Sequence, residues 1–376
     1  MKIVYTIAGF YRKAGMERIL ADKVNYLAQM GHSILIVTTD QNGRDLAFPL
    51  EQSIKTIDLG ICYEDNNGGS FVSKLVNYPI KKLEHHSRLE STLKWYKPDV
   101  TVSMFCGDET FLPDIKDGSK KVLEVHFSRY KRIQYGRKGL WAIADHLRSI
   151  VDGMTIERFD RFVVLTEEDY SYWKRPSNGC VIPNFISQLP EETSSLNTDI
   201  VLAVGRFCHQ KGFDRLLSAW AIVSRRLQDD HGWLLRIVGD GDERDDLEQL
   251  ADSLGIGSSV RIDYPKKDMD QIYRQASVLA LSSRYEGFPL VLLEAQSYGL
   301  PIVSFDCKCG PKDIISHMVD GLLVPDGDIH DMAEALFRVI TNRNLRTEMG
   351  QNAREHAAHW DKEETMKLWI NLFENI

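Results

Sequence analysis

The chain has 376 residues, 43% of them hydrophobic and 27% charged, which suits two globular domains of middling size and excludes a disordered or fibrous chain. No apolar run reaches roughly 18 residues, so no membrane-crossing helix is expected. MKIVYTIAGF at the start lacks the features of a signal peptide. The six cysteines, at 62, 106, 180, 208, 307 and 309, are too scattered for a disulfide framework, so a cytoplasmic protein is expected. The formal charge of −8 hides an asymmetry. Residues 1–186 carry 26 Lys and Arg against 23 Asp and Glu, a net of +3, and the remainder carries 20 against 31, a net of −11.

In chain order, KIVYTIA (2–8) reads as a strand, and ERILADKVNYLAQMGH (17–32) as a helix with Ile19, Leu20, Val24, Leu27 and Met30 on one face and Gly31 ending it. HSILIVTT, SIKTIDL, PDVTVSMF, KVLEVHF and RFVVLT continue the strands to residue 166. His85 and His86 lie in a Lys-rich helical stretch and are expected to face solvent. Residues 120–141, KKVLEVHFSRYKRIQYGRKGLW, interleave cations with Phe127, Tyr130, Tyr135 and Trp141. A solvated surface and a surface for an anionic partner, such as a lipid diphosphate or a phospholipid headgroup, both fit that pattern. Nucleic acid does not, because the whole chain is acidic and no reader motif occurs.

SQLPEETSSLNTD (187–199) has the composition of a linker. Beyond it the scheme repeats, with strands DIVLAVGRF, WLLRIVGDG, SVRIDYP, ASVLALSS, PIVSFD and GLLVP, and helices FDRLLSAWAIVSRRL, ERDDLEQLADSLG and DMAEALFRVIT. Near-continuous Val, Ile and Leu strands separated by helices predict parallel sheets covered on both faces. Two Rossmann-like domains are therefore expected, 1–186 and 187–358, with sheets facing an interdomain cleft where ligands sit beyond the carboxyl ends of the strands.

RYEGFPLVLLEAQSYGLP (284–301) carries the chemistry. After the buried strand ASVLALSS, Pro289 suits a first helical turn, and Gly299 and Pro301 close a short helix. The open first turn is an anion site. Glu286 precedes it and Glu294 lies one turn inside, where each can accept hydrogen bonds from hydroxyls. Arg206 and Lys211, in the loop after the strand at 199–207, can neutralise a diphosphate.

These residues resemble the retaining GT-B glycosyltransferases of family 4. The family's E-x(7)-E pattern matches Glu286 and Glu294, and its Arg and Lys after the first strand of the C-terminal domain match Arg206 and Lys211. The resemblance implies that Arg206, Lys211 and the amides of Gly287, Phe288 and Leu290 contact the donor diphosphate, with Pro289 unable to donate. It also implies that Glu294 holds the ribose and Glu286 the transferred sugar. VGDGDE (238–243) looks like the family's turn near the base, with Tyr264 or Pro265 beside it. The family's Gly-Gly-x-Glu-Arg loop reads Ala14-Gly15-Met16-Glu17-Arg18 here, leaving Gly15 to approach the diphosphate. His126 in LEVHFS matches the cleft histidine, and the C-terminal helix, about 359–376, is expected to pack back on the first domain.

The function so implied is transfer of a hexose or N-acetylhexosamine from a nucleotide diphosphate sugar, UDP-linked, to a saccharide or lipid-linked saccharide acceptor, with retention and with no metal or other cofactor. His126, Lys211 and Glu286 take the catalytic roles, and peripheral contact with an anionic inner membrane face is a further expectation. Two alternatives stand beside it: a nucleotide-sugar 2-epimerase of the same form, and a non-catalytic nucleotide-sugar-binding protein. Asp240-Gly241-Asp242 and Asp326-Gly327-Asp328 read as turns rather than metal ligands.

Overall fold

The computed structural model describes residues 1–66, 71–134, 139–227, 232–265 and 268–376. Of the basic, aromatic stretch, Tyr135, Gly136, Arg137 and Lys138 and the side chains of Arg132, Gln134, Leu140 and Trp141 lie outside the described residues. The chain divides into two compact units, one made of Met1–Ile182 with Thr365–Ile376 and the other of Pro183–Glu364. The polar segment 187–199 is tied to the second unit: Ser194 donates from its backbone to the Tyr298 carbonyl, and Arg354 donates to the Pro190 carbonyl.

The first unit holds strands β1 (Lys2–Ile7), β2 (Ser33–Thr38), β3 (Lys55–Asp58), β4 (Val100–Ser103), β5 (Lys120–Glu124), β6 (Arg161–Val164) and β7 (Gly179–Val181). They form one parallel sheet in the order β3-β2-β1-β4-β5-β6-β7. Helices α1 (Gly15–Gln29), α2 (Phe71–Tyr96), α3 (Lys131–Gln134), α4 (Leu140–Thr155) and α5 (Glu167–Tyr172) follow the strands. The apolar stripe of α1 is buried at Ile19, Leu20, Val24 and Leu27, whereas Met30 is 59% exposed, because the helix has already ended there. His85 is buried rather than solvated: it packs edge-on to Phe111 with ring centroids 5.1 Å apart, and its Nδ1 lies 3.2 Å from the Tyr63 hydroxyl. His86 is half-buried, 3.9 Å from Glu90.

The second unit repeats the plan with β8 (Ile200–Val204), β9 (Leu234–Val238), β10 (Val260–Asp263), β11 (Val278–Leu281), β12 (Ile302–Asp306) and β13 (Gly321–Pro325). Their order, β10-β9-β8-β11-β12-β13, is again a parallel sheet that reverses direction of growth after its first three strands. Helices α6 (Phe213–Leu227), α7 (Arg244–Ser253), α8 (Met269–Arg274), α9 (Leu290–Ser297), α10 (Pro311–Ile314), α11 (Ile329–Thr341), α12 (Arg343–Ala357) and α13 (Lys362–Glu374) complete the chain. Val201, Ala203, Leu235 and Ile237 of the strands bury against Leu216, Trp220 and Val223 of α6 and Leu336 of α11, which gives this unit its own core.

From Thr365 onward α13 belongs to the first unit. Its Trp369 is buried, with the Lys23 ammonium 3.7 Å from the ring centroid. Lys23, on α1, is itself buried and donates to Glu124 Oε1 of β5 at 2.5 Å. Burial pushes the Glu124 carboxyl up, and the Lys23 and His126 contacts more than offset that, bringing it down to about 2. One buried ion pair thus joins α1, β5 and the terminal helix, and such a pair is costly to break from one side. Lys23→Met is expected to lower stability by about 3–5 kcal/mol in urea unfolding, with most of the loss recovered in the double variant Lys23→Met/Glu124→Gln.

Candidate functional site

In an open parallel sheet the point where strand order reverses leaves a crevice at the carboxyl edge, since the two loops there lead away to opposite faces. In the second unit that point lies between β8 and β11, and the loops leaving these strands hold Arg206, Lys211 and Glu286. The loops are sewn together. Arg284 donates from its backbone to the Gln210 carbonyl at 2.8 Å, Gln210 Nε2 donates to the Tyr285 carbonyl at 3.0 Å, and Ser282 Oγ donates to the Lys211 carbonyl at 2.9 Å. The Arg284 guanidinium grips both carboxylate oxygens of Asp214 at 2.8 and 2.6 Å, fixing the start of α6.

Lys211 Nζ lies 2.7 Å from Glu286 Oε1, and Ser283 Oγ donates to the same oxygen at 2.6 Å. Glu286 is only 6% exposed. The aliphatic stem of Lys211 crosses Gly205, where a Cβ would stand 3.2 Å from three of its carbons. Arg206 is exposed at the end of β8, and no hydrogen bond or ion pair holds it among the described residues. Of the two cations, one is already neutralised by a carboxylate and the other has no partner among the described residues.

The tip of α9 lies directly after Glu286. Pro289 is the N-cap, with φ −72° and ψ 101°, one position earlier than the first turn expected for it. No side chain caps this helix, and the amides of Gly287, Phe288, Leu290 and Val291 have no partner among the described residues. Four N–H groups at the positive end of a helix dipole form an anion site. Gly310 underlies this turn with φ +102°, and a Cβ there would stand 2.5 Å from Pro289 Cδ, so residue 310 must lack a side chain. Phe288 is buried edge-on against Trp360, with centroids 5.4 Å apart. The helix closes as expected, with Gly299 at φ +69° and the Leu300 amide donating back to the Ala295 carbonyl.

Glu294 is half-buried on the second turn and its Oε2 accepts from the Tyr273 hydroxyl. Tyr273 in turn stacks on Tyr298, with centroids 5.2 Å apart and planes within 4°. The turn at 238–243 seals the neighbouring edge, since a Cβ on Gly239 would stand 1.9 Å from the Gly205 carbonyl oxygen. Asp240 Oδ1 accepts the Gly241 amide, and Asp328 caps α11 while Asp326 pairs with Arg215 at 3.0 Å. Tyr264 is exposed beneath the Arg244 guanidinium. Among the described residues no three His, Cys, Asp or Glu side chains gather as metal ligands.

In the first unit the reversal lies between β1 and β4, and a cavity of about 410 Å³ opens there. Tyr11, Tyr63, Tyr78 and Phe105 line it with Asp40 and Glu64. Gly15 is the first residue of α1, behind Ala14 at φ −119° and ψ 169°. Any L-residue adopts that backbone, so the alanine does not disturb the loop. His126 lies beyond the end of β5, its Nε2 2.8 Å from Glu124 Oε1. An ionised Glu124 makes Nε2 the donor and leaves Nδ1 for a further partner. Glu109, buried after β4, accepts the Gly107 amide at 2.9 Å, and burial together with Asp108 raises its carboxyl to about 7.

Sequence reasoning named Lys211, Glu286 and the α9 tip, which the fold brings together, and Glu294 on the same helix. It missed Ser283, Gln210, Arg284 and Tyr273. The position of Ser283 and Arg284, between strand and acid, was the available signal for two of these. Tyr273 had none, because α8 is remote in sequence.

Two parallel sheets of seven and six strands, each with its helices, give the chain the GT-B fold. Residues 186–356 match the family Glycosyl transferases group 1. The chain is 26% identical over 373 residues to an uncharacterized glycosyltransferase of Haemophilus influenzae, covering 98% of each chain. It is also 26% identical over 385 residues to a Campylobacter jejuni alpha-1,4-N-acetyl-D-galactosaminyltransferase named for a diNAcBac-PP-undecaprenol-linked substrate, covering 100% of this chain and 99% of that one. The crystal structure of Anabaena HepE in complex with UDP and glucose superposes with a TM-score of 0.78 at 16% identity, covering 100% of both chains.

Glu109 binds its proton more tightly folded than unfolded, so the folded state loses stability as pH rises from about 4.5 towards about 7. Glu109→Gln removes that penalty. Urea unfolding at pH 8 should show the variant more stable by up to about 3 kcal/mol, with the difference gone below about pH 4.5.

Proposed function

We propose that the protein is a retaining, metal-independent glycosyltransferase that moves a hexose or N-acetylhexosamine from a UDP-sugar to a saccharide hydroxyl on a lipid-linked acceptor. The observation that carries the reading is the Lys211–Glu286 pair set against the bare tip of α9 at the reversal point of the second sheet. A diphosphate seated on the amides of Gly287, Phe288 and Leu290 meets Arg206 directly and competes with Glu286 for Lys211. As the bond from the anomeric carbon to the phosphate oxygen breaks, the charge left on that oxygen falls where three sources of positive potential converge. The acceptor oxygen bonds to the same carbon from the same face, and its proton passes to the departing phosphate. Glu286, fixed by Ser283 and Lys211, holds hydroxyls of the transferred sugar, and Glu294 holds the ribose in partnership with Tyr273. The first unit binds the acceptor, with His126 and Gly15 in the roles that the family pattern implies.

UDP and the lipid-linked acceptor draw support from the HepE complex and the undecaprenol-linked substrate named for the Campylobacter relative. Work on such an acceptor places the enzyme at the inner face of an anionic membrane. An epimerase has no use for an acceptor, and a binding protein has none for a cation pair that stabilises a leaving diphosphate.

The test is a screen of UDP-, GDP- and ADP-sugars for slow donor hydrolysis in the presence of a chelator. One donor class should release its nucleotide, and Lys211→Ala and Glu286→Ala should each lower that rate about 100-fold or more. Equal turnover in the variants rejects the site. A changed sugar nucleotide without free nucleotide supports the epimerase, and binding without turnover supports the binding protein.

A further inference from the structure

Helix α4 is built inside out. Its exposed residues include Ile143, Leu147, Ile150 and Met154, each 59% exposed, and Val151 at 43%. Advancing 100° per residue, these five fall within one stripe about 100° wide along the whole helix. The opposite face is polar and buried: Asp145, Ser149 and Asp152 are all under 9% exposed. Arg129 explains the inversion. Its guanidinium donates to Ser149 Oγ at 2.7 Å and to the Ser149 carbonyl at 2.5 Å, and lies 4.3 Å from the centre of the Trp173 ring. It also approaches Gly153, where a Cβ would stand 3.1 Å from Nη2. The inner face of α4 thus seats a cation, and the greasy face is left outward.

We infer that this face docks on an anionic lipid surface, with α4 lying in the headgroup layer. Charge decides the occupant. Both acids of α4 point inward, while the exposed charged or titratable residues on it are Arg148 and His146. The sequence from 125 to 144, which leads into the helix, holds Arg129, Lys131, Arg132, Arg137 and Lys138 and no Asp or Glu. An apolar stripe beside exposed Arg148, on a helix preceded by an acid-free basic sequence, complements a negatively charged bilayer. A second copy of the chain on the same stripe would set these cations against their own kind. At 16 residues α4 is about 24 Å long, too short to span the hydrocarbon core, and no described helix is long and apolar enough to do so. The inference deepens the proposed work on a lipid-linked acceptor and rests on that reading for its purpose, while its test uses no residue of the donor site.

The experiment sediments the full-length protein with vesicles of phosphatidylcholine, with and without phosphatidylglycerol. The wild type should partition onto the anionic vesicles. Leu147→Gln/Ile150→Gln should lower that partitioning roughly tenfold or more, and Arg148→Glu by about fivefold. Melting temperature and UDP-sugar hydrolysis in solution should stay unchanged in both. Unchanged vesicle binding by the double variant overturns the inference, as does equal binding to neutral vesicles. A wild-type dimer that the double variant converts to monomer, with no vesicle binding, assigns the stripe to a second copy and also overturns it. Absent donor hydrolysis in the wild type would instead sink the transferase reading and leave lipid docking standing.

Discussion

The ion pair between Lys211 and Glu286 is the interaction on which the second unit's site depends. It joins a loop after β8 to a loop after β11, the two strands flanking the reversal of the sheet. Glu286 is nearly buried, and a cation and a hydroxyl both meet one of its oxygens. The pair is also poised for exchange, since the ammonium keeps some solvent exposure while the carboxylate keeps almost none. On the proposed reading an arriving anion would draw on the lysine without having to drag the acid out of its place. The backbone makes this possible. Gly205 lets the lysine stem cross, Gly310 lets the α9 turn sit down, and Gly239 lets the loop after β9 close on the loop after β8. A side chain at Gly205 would displace the lysine stem and so separate charges that act only at short range.

The first unit solves a related problem with the opposite economy. Lys23, Glu124 and Trp369 bury a full ion pair under the terminal helix, and His126 takes its orientation from the same carboxylate oxygen that accepts from Lys23. Here the pair has both members buried. It sets which ring nitrogen of His126 carries its proton, and it ties that choice to the docking of α13. Burial of both members makes it a fixed reference, whereas the partly exposed lysine of the second unit makes its pair adjustable.

Most of the architecture was legible in the sequence because parallel strands buried on both faces read as unbroken Val, Ile and Leu runs, and each predicted run became a strand. Strand β7 escaped because three half-buried residues carry no periodicity, and α12 because its face is mostly polar. Met30 was placed on a buried face by spacing alone, yet the helix stops before it. His85 was misjudged because neighbouring lysines suggested solvent, while Phe111 and Tyr63, distant in the chain, enclose it. At the site, the spacing of Glu286 and Glu294 and the glycine and proline punctuation were visible as local chemistry. The burial of Glu286 and its pairing with Lys211 were not, because both arise from the meeting of segments 75 positions apart.

The inverted polarity of α4 belongs with that last class. Its apolar residues recur at helical spacing, which in a sequence ordinarily marks the face turned to a core. What reverses the reading is a single competing cation. Arg129 needs acceptors, and the Ser149 hydroxyl and carbonyl supply them, with the Asp152 charge nearby, only if the polar side of α4 faces inward. Satisfying a desolvated guanidinium outweighs burying five aliphatic side chains as long as those side chains have somewhere else to go. A lipid interface is such a place, and it asks for the arrangement seen: carboxylates withdrawn, Arg148 exposed beside the stripe, and a helix too short to cross. The charge division of the chain agrees, with a net +3 in residues 1–186, where α4 lies, and −11 in the rest, so an anionic surface attracts the part that carries the stripe and repels the other.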